Sequence, residues 1–200
     1  RNAGDAISMA QVAEGGLSTM NDMLQRMREL AVQASNATNS AGSAGDIAKL
    51  DNEYKQLGAE LSRMLDATQF NGEKILNGSA SYVLQVGANA GAENQITIAN
   101  GDISLSGNAA FSAVASGGAS ATLITGTAST NTANIAALDA AISAVNDRRA
   151  SLGALQSRFE NTISYLRTAS ENQSAARGRI MDADFAAETA NLSRTQVLQQ

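Results

Sequence analysis

The feature that most constrains this chain is a long heptad pattern of apolar residues in its second half. Between Thr132 and about Ala176, apolar residues recur at alternating steps of three and four: Ile135, Leu138, Ile142, Val145, Leu152, Phe159, Ile163 and Leu166. A pattern sustained over about four heptads is typical of a helix that lies along partner helices. Such a helix would be roughly 65 Å long at 1.5 Å per residue. We therefore predict a mainly α-helical protein, an elongated, rod-like antiparallel helical bundle or coiled coil.

Two positions of this stripe are polar, Arg149 and Gln156. Their stems can pack while their charged or amide ends reach solvent. Alternatively, they fix the register between helices, as polar residues in a helical interface can. Asn131 or Thr132 can cap the start of the helix, and the sequence shows no clear stop before Gly178.

A first helix is predicted near the amino terminus, from about Gly4 to Asn36. Its apolar stripe contains Ala13, Leu17, Met20, Leu24, Met27, Ala31 and Ala34. The pair Gly15-Gly16 interrupts the helix, and each glycine costs about 1 kcal/mol relative to alanine in a helix interior. The pair therefore predicts a bend or a close crossing. The outer face carries Asp22 and Arg26, spaced to pair at i,i+4.

A second helix is predicted after the Gly- and Ser-rich loop from Ser40 to Gly45, with Asp46 as its cap. Its stripe contains Ile47, Leu50, Tyr54, Leu57, Leu61 and Met64. On its outer face, Lys49 can pair with Glu53 and Asp51 with Lys55. Neighbouring helices joined by a short loop pack antiparallel, so the first and second helices are predicted to be antiparallel.

After this helix, the turn dipeptides Asn71-Gly72 and Asn77-Gly78 mark a change from helical to alternating apolar periodicity. The alternation predicts a β-hairpin whose apolar side chains are Tyr82, Leu84 and Val86 on one strand and Ile96 and Ile98 on the other. Ile103 and Leu105 could extend it. From Ser106 to Thr132 the chain is rich in Gly, Ser, Ala and Thr, which predicts a surface excursion without a core of its own.

Composition excludes several classes of function. The chain has 200 residues, no cysteine, no histidine and a net charge of −5. Disulfides, imidazole bases and the usual zinc or iron sites are therefore excluded, and nucleic-acid binding is disfavoured. No apolar run is long enough to insert into a membrane. We predict no enzymatic activity, no cofactor and no metal. Asp182 and Asp184 can form a chelating pair, although helix initiation explains them as well.

Three strings of residues carry a resemblance to a known family. Residues 21–33, with the continuation to Ser40, closely resemble the first core helix of bacterial flagellin. Residues 68–76 look like the turn into that family's β-hairpin, and residues 176–188 are similar to its carboxy-terminal core segment. The three matches occur in the family's order and span most of the chain.

The resemblance implies a structural subunit of the flagellar filament, a secreted, extracellular protein that assembles helically with other flagellin subunits. It also implies a flagellar export chaperone and a filament cap as partners. Residues 1–80 (core helices and turn) and 131–200 (core helices) would form one discontinuous core domain, and residues 81–130 the hairpin and a short variable excursion. The chain is expected to be a core fragment that lacks both terminal helical segments of the family.

A second implication of the resemblance is recognition by Toll-like receptor 5 of a host. The family's receptor-contact positions match Arg26, Leu30 and Glu53, and Gln25, Arg28 and Gln33 lie in or beside the same patch. A partly exposed Leu30 flanked by arginines would serve as an anchor.

Alternative functions are a flagellin-like cell-surface protein that binds polysaccharide and a hook-filament junction protein. Glycan sites usually display aromatic platforms, and the excursion contains only Phe111. The Ser and Thr residues from Ser112 to Thr132 can accept O-linked sugars, as in some relatives of the family.

Overall fold

The computed structural model describes residues 1–36, 45–115, 128–182 and 185–199, with the backbone alone for residues 128–130. Its helices are α1 (Asn2–Ala34), α2 (Asp46–Ala67), α3 (Asn100–Ile103), α4 (Ala109–Ala115), α5 (Ala128–Met181) and α6 (Phe185–Leu198). Its strands are β1 (Gln69–Phe70), β2 (Glu73–Lys74), β3 (Tyr82–Gln85) and β4 (Gln95–Ile98). The predicted class, mainly α-helical with a small β-hairpin region, is confirmed. The chain divides into two compact units, Arg1–Glu160 and Asn161–Gln200.

The core of the first unit lies where α1 packs against its neighbours. Every residue of the predicted α1 stripe is buried, and Leu30 joins that face with no exposed surface. From α2 the core receives Ile47, Leu50, Tyr54 and Leu61, and from α5 it receives Leu138, Ala141, Val145, Leu152, Leu155 and Phe159. The heptad pattern therefore identified the buried face of α5 within this unit. Each buried leucine or phenylalanine contributes about 1.5–3 kcal/mol.

Helix directions follow from contacts between side chains far apart in sequence. On α2, Glu53 pairs with Arg26, while Thr68, just after α2, lies beside Gly16. The contact later in α1 involves the residue earlier in α2, so the two helices are antiparallel, as predicted. Arg149 of α5 lies beside Glu14.

Glu14 and Arg149 form an ion pair of 2.8 Å between α1 and α5, and both side chains are about one-third exposed. Of the two interpretations for Arg149, register fixation is therefore the one its contacts favour. Arg28 and Asp139 form a second pair between the same helices, at 2.6 Å. The two pairs occur in opposite order along the two helices, so α5 also runs antiparallel to α1.

Helix α1 continues as a single helix through Gly15 and Gly16. A Cβ atom on Gly16 would lie 3.0 Å from Thr68 Oγ1 and 3.2 Å from Leu76 Cδ1, whereas one on Gly15 would meet nothing within 4 Å. The close-approach interpretation is therefore right for Gly16, although the neighbour is the segment after α2 and not another helix.

The predicted helix starts were wrong. Gly45, in an extended conformation, is the N-cap of α2, and Asp46 is the first helical residue, paired with Lys49. Helix α5 begins at Ala128, so Asn131 and Thr132 lie inside it. Local capping signals do not by themselves fix where a helix begins.

Two antiparallel hairpins follow α2. In the first, Asn71 and Gly72 connect β1 to β2 with φ values of 51° and 83°, the left-handed backbone that an Asn-Gly turn favours. In the second, Tyr82 of β3 pairs with Ile98 of β4, and Leu84 with Ile96, as the alternation predicted. Ile103 and Leu105 do not extend this sheet: Ile103 ends α3, and the N–H of Leu105 donates to the Leu76 carbonyl.

Part of the predicted surface excursion packs in the core. Helix α4 packs against α2 and buries Phe111, Val114 and Ala115. The expectation that this stretch has no core was therefore wrong for residues 109–115. Most of the Ser and Thr residues proposed as glycan acceptors, most of the Ser40–Gly45 loop, and Asp184 lie outside the described residues. None of the described helices carries an apolar stretch long enough to cross a membrane.

Candidate interaction surface

The residues predicted to bind a receptor come from α1 and α2, and we call Gln25, Arg26, Arg28, Gln33 and Glu53 the α1–α2 surface. The four residues of α1 are exposed, and Glu53 is partly exposed. They share one side of the bundle because α1 turns its apolar stripe inward and leaves the polar positions on its outer face.

Arg26 is the residue that joins the two helices of this surface. Its Nε donates to Glu53 Oε1 at 2.8 Å, and its Nη1 donates to Glu29 Oε2 at 3.1 Å. The hydrogen bond to Glu53, followed by that to Glu29, raises the pKa of Arg26 above its ordinary value. Arg26 therefore stays charged and is held in one orientation by two carboxylates. The predicted pairing with Asp22 is replaced by these two contacts.

Arg28 is held by a different helix. Its Nε donates to Asp139 Oδ1 of α5 at 2.6 Å, and this hydrogen bond raises the pKa of Arg28. Asp139 is 111 positions away in sequence. The edge of the α1–α2 surface consequently depends on α5.

Leu30 does not fit the expectation of a partly exposed anchor. Its side chain is fully buried in the core between α1 and its neighbours. That expectation was wrong because Leu30 belongs to the apolar stripe itself, together with Leu24 and Met27. The exposed apolar side chain of this segment is Val32, which is 49% accessible.

The partners Glu29 and Asp139 were missed by the sequence reasoning. Glu29 could have been found, because i,i+3 spacing places it beside Arg26 on the helix. No local signal marks Asp139, since its proximity to Arg28 arises from the packing of α5 against α1. Among the described Asp and Glu residues, no group of three is placed to hold a metal ion.

Fold and surface together define a class of helical proteins in which helices from the first and second halves of one chain build a common bundle. The model of the bacterial flagellin N-terminal helical region matches residues 1–81, and that of the bacterial flagellin C-terminal helical region matches residues 135–200. The chain belongs to the bacterial flagellin family and is a structural subunit of the flagellar filament.

Individual relatives agree with this assignment. The chain is 43% identical to a flagellin of Halalkalibacterium halodurans and 34% identical to a flagellin of Bacillus subtilis, over all of this chain and 69% and 72% of those proteins. It is 36% identical to a flagellar filament core protein of Treponema phagedenis over all of this chain and 70% of that protein. The crystal structure of Bacillus cereus flagellin matches with a TM-score of 0.65 and 28% identity, covering 88% of this chain and 94% of that one. These relatives favour the filament subunit over the polysaccharide-binding and junction alternatives.

Proposed function

We propose that this filament subunit associates with its neighbours through apolar side chains of residues 161–200. The observation that carries the proposal is the exposure of this unit. Helix α6 contains no buried residue, and Phe185, Val197 and Leu198 are each more than 70% exposed. In α5, Ile180 and Met181 are exposed to a similar degree.

Burial of these side chains against other copies would drive assembly. Fully burying a side chain such as phenylalanine contributes about 1.5–3 kcal/mol, and a helix as short as α6 is marginal in water without packing. When one surface of a subunit binds a different surface of the next, and the rotation does not close, the product is a filament. The exposed apolar side chains of this unit supply the attraction that such an arrangement requires.

The test is Phe185→Ser, introduced into the gene of the cells that make this protein. We expect shorter filaments that dissociate at lower temperature, measured by electron microscopy and sedimentation. Asn191→Ser, an exposed polar change on the same helix, is the matched control and should leave filaments unchanged. Filaments of normal length and stability from the Phe185 variant would show that this face does not hold subunits together.

Export and capping belong to the same proposal and rest on the family resemblance. The subunit would leave the cell through the flagellar secretion apparatus with the help of an export chaperone, and a cap would direct its assembly outside. Inactivating the export apparatus should then retain this protein inside the cell. Its appearance in the medium under those conditions would contradict the proposal.

We also propose that Toll-like receptor 5 recognises the α1–α2 surface. Leu30 would not contact the receptor but would keep α1 packed in the core. The supporting observation is the contact between Arg26 and Glu53, which joins matched positions from two helices at 2.8 Å. A guanidinium already held by two carboxylates has less conformational freedom to lose on binding than an unrestrained side chain. A receptor would therefore meet an ordered surface. Residues from both helices would then contribute to one interface.

Two glutamates of α2 provide a matched test of receptor recognition. Both Glu53→Ala and Glu60→Ala remove a carboxylate that pairs with an arginine, but only Glu53 belongs to the α1–α2 surface. We expect Arg26→Ala and Glu53→Ala to weaken receptor-dependent signalling by tenfold or more, on the order of 1.4 kcal/mol. Glu60→Ala should leave it unchanged. Circular dichroism of each variant confirms that the helices persist, and equal signalling by all variants would refute recognition at this surface.

A further inference from the structure

The chain contains three Asn-Gly dipeptides, at Asn71, Asn77 and Asn100. This dipeptide matters chemically because glycine lacks a Cβ atom, so its backbone nitrogen can approach the side-chain amide of the preceding asparagine. Attack by that nitrogen on the amide carbon is the usual route by which asparagine deamidates, and asparagine is accordingly counted among the thermolabile residues. The surroundings of the three sites differ enough to rank them.

The Asn71 site is open. Asn71 and Gly72 are both exposed, and a Cβ built on Gly72 would meet nothing within 4 Å. Among the described residues, neither the Asn71 side chain nor the Gly72 N–H has a hydrogen-bond partner. The strands on either side, β1 and β2, have two residues each. So short a hairpin opens at low cost, which lets the backbone reach the geometry of attack.

The other two sites are protected. The Asn77 side-chain nitrogen donates to Asp66 Oδ1 at 2.8 Å, and a Cβ on Gly78 would lie 2.5 Å from the Lys74 carbonyl oxygen. That amide is therefore restrained and its neighbouring glycine is crowded. Gly101 is as open as Gly72, with nothing within 4 Å of a Cβ position, but Asn100 is partly buried and both residues lie in helix α3. A helical backbone aligns each N–H with the helix axis, away from the preceding side chain.

We propose that Asn71 is a site of spontaneous covalent modification, converted to aspartate and isoaspartate in preference to Asn77 and Asn100. Hydroxide removes the Gly72 N–H proton, and the nitrogen forms a bond to Asn71 Cγ. The Cγ–Nδ2 bond breaks and ammonia leaves with a proton from water, giving a succinimide. Water then opens the ring at Cγ to give aspartate, or at the main-chain carbonyl to give isoaspartate.

Isoaspartate at this position changes the chain path. It adds one backbone carbon to a two-residue turn whose φ values, 51° and 83°, fit the pairing of β1 with β2. Register in such hairpins is set by the turn. The change therefore disrupts the segment that places Thr68 and Leu76 against Gly16. Ageing of the protein would accordingly loosen this contact with α1.

The test is peptide mapping of the intact 200-residue chain after incubation in mildly alkaline buffer. Trypsin cleaves after Arg63 and Lys74, so the peptide of residues 64–74 contains Asn71 as its only asparagine, whereas Asn77 and Asn100 are in a different peptide. We expect the first peptide to gain about one dalton, with isoaspartate detected by enzymatic methylation. Its rate should exceed that at the other two sites several-fold. No mass change at Asn71, or a faster change at Asn77, overturns the proposal.

Two variants separate the effect of surroundings from that of sequence. Asp66→Ala removes the acceptor that restrains Asn77, so deamidation at Asn77 should rise several-fold. Because Asp66 also pairs with Lys74 of β2, deamidation at Asn71 should stay as before or rise, and should not slow. Glu60→Ala removes another paired carboxylate of α2 and should change neither site. If Asp66→Ala leaves Asn77 unchanged, protection by the carboxylate is wrong. Asn71→Gln, whose longer side chain disfavours ring closure, should abolish the change in the first peptide.

Discussion

At the scale of single residues, Gly15 and Gly16 show how neighbours with the same side chain differ in role. Both lie in the interior of α1, where glycine is less favourable than alanine by about 1 kcal/mol. Only Gly16 faces another part of the chain, with Thr68 and Leu76 at 3.0–3.2 Å from its Cβ position. The close approach at Gly16 therefore favours glycine, because Thr68 or Leu76 would have to shift to admit a Cβ, whereas nothing in the surroundings of Gly15 favours it.

The two glycines lead to predictions of opposite sign. Gly15→Ala should raise the free energy of unfolding by about 0.5–1 kcal/mol, because it restricts the unfolded chain and improves helix propensity. Gly16→Val should lower it by about 1–3 kcal/mol, because its methyl groups have no room beside Thr68 and Leu76. Urea denaturation followed by circular dichroism measures both. Equal effects of the same sign would contradict the contact at Gly16.

Tyr54 makes stability depend on alkaline pH. Its side chain is 1% exposed, and its hydroxyl has no hydrogen-bond partner among the described residues. Burial, followed by the charge of Asp51, raises its pKa from 10.0 to about 12. Above pH 10.0 the unfolded state loses this proton while the folded state keeps it, so the free energy of unfolding falls as pH rises. The full loss is about 2–3 kcal/mol, reached near the folded pKa.

The expected measurement is the difference in unfolding free energy between wild type and Tyr54→Phe across this pH range. Phenylalanine cannot ionise and leaves no unpaired hydroxyl, so the variant should lose less stability than wild type above pH 10.0. Tyr165→Phe is the control, since Tyr165 is 71% exposed. Parallel pH profiles for wild type and Tyr54→Phe would refute the role of Tyr54.

At the scale of elements, α1 is the helix to which both α2 and α5 attach. It pairs with α2 through Arg26 and Glu53, and with α5 through Glu14 with Arg149 and Arg28 with Asp139. Most of these side chains are about half exposed, so the pairs contribute little to net stability. Their effect lies in register: each fixes which part of one helix faces which part of the other. The apolar stripes supply the free energy.

Helix α4 is the element whose packing carries a prediction. Its seven residues are too few to be stable alone, so α4 depends on contact with α2. Phe111→Ala removes a side chain that is 1% exposed and should cost about 3–5 kcal/mol, less if the site collapses. Ser112→Ala, on the exposed side of the same helix, should cost under about 0.5 kcal/mol. Thermal unfolding of the two variants distinguishes a packed α4 from a loosely attached one.

At the scale of the whole molecule, the two compact units differ in what they bury. Among the described residues, every buried apolar side chain lies in residues 1–160, whereas residues 161–200 leave Tyr165, Ile180, Phe185 and Leu192 more than half exposed. A filament subunit needs both kinds of region. The proposed contacts with neighbouring copies would bury the apolar side chains that residues 161–200 leave exposed in the single subunit.

The sequence by itself determined the long helices, the hairpin of β3 and β4, and most of the buried face of each. Heptad spacing located the stripes of α1, α2 and α5, because helical period and apolar burial are both set locally. The Asn71-Gly72 turn and the alternation of β3 and β4 were predicted for the same reason. The resemblance of three strings to flagellins gave the family.

The tertiary structure alone decided which surface residues meet and how far each stripe extends. Phe111 packs on α2, and Arg28 binds Asp139. Local periodicity cannot predict these contacts, because they join segments separated by tens of residues or more. The partner of a charged or apolar side chain on an outer face is fixed by where the next helix lies. That position follows from packing of the whole bundle and not from the residues nearby in sequence.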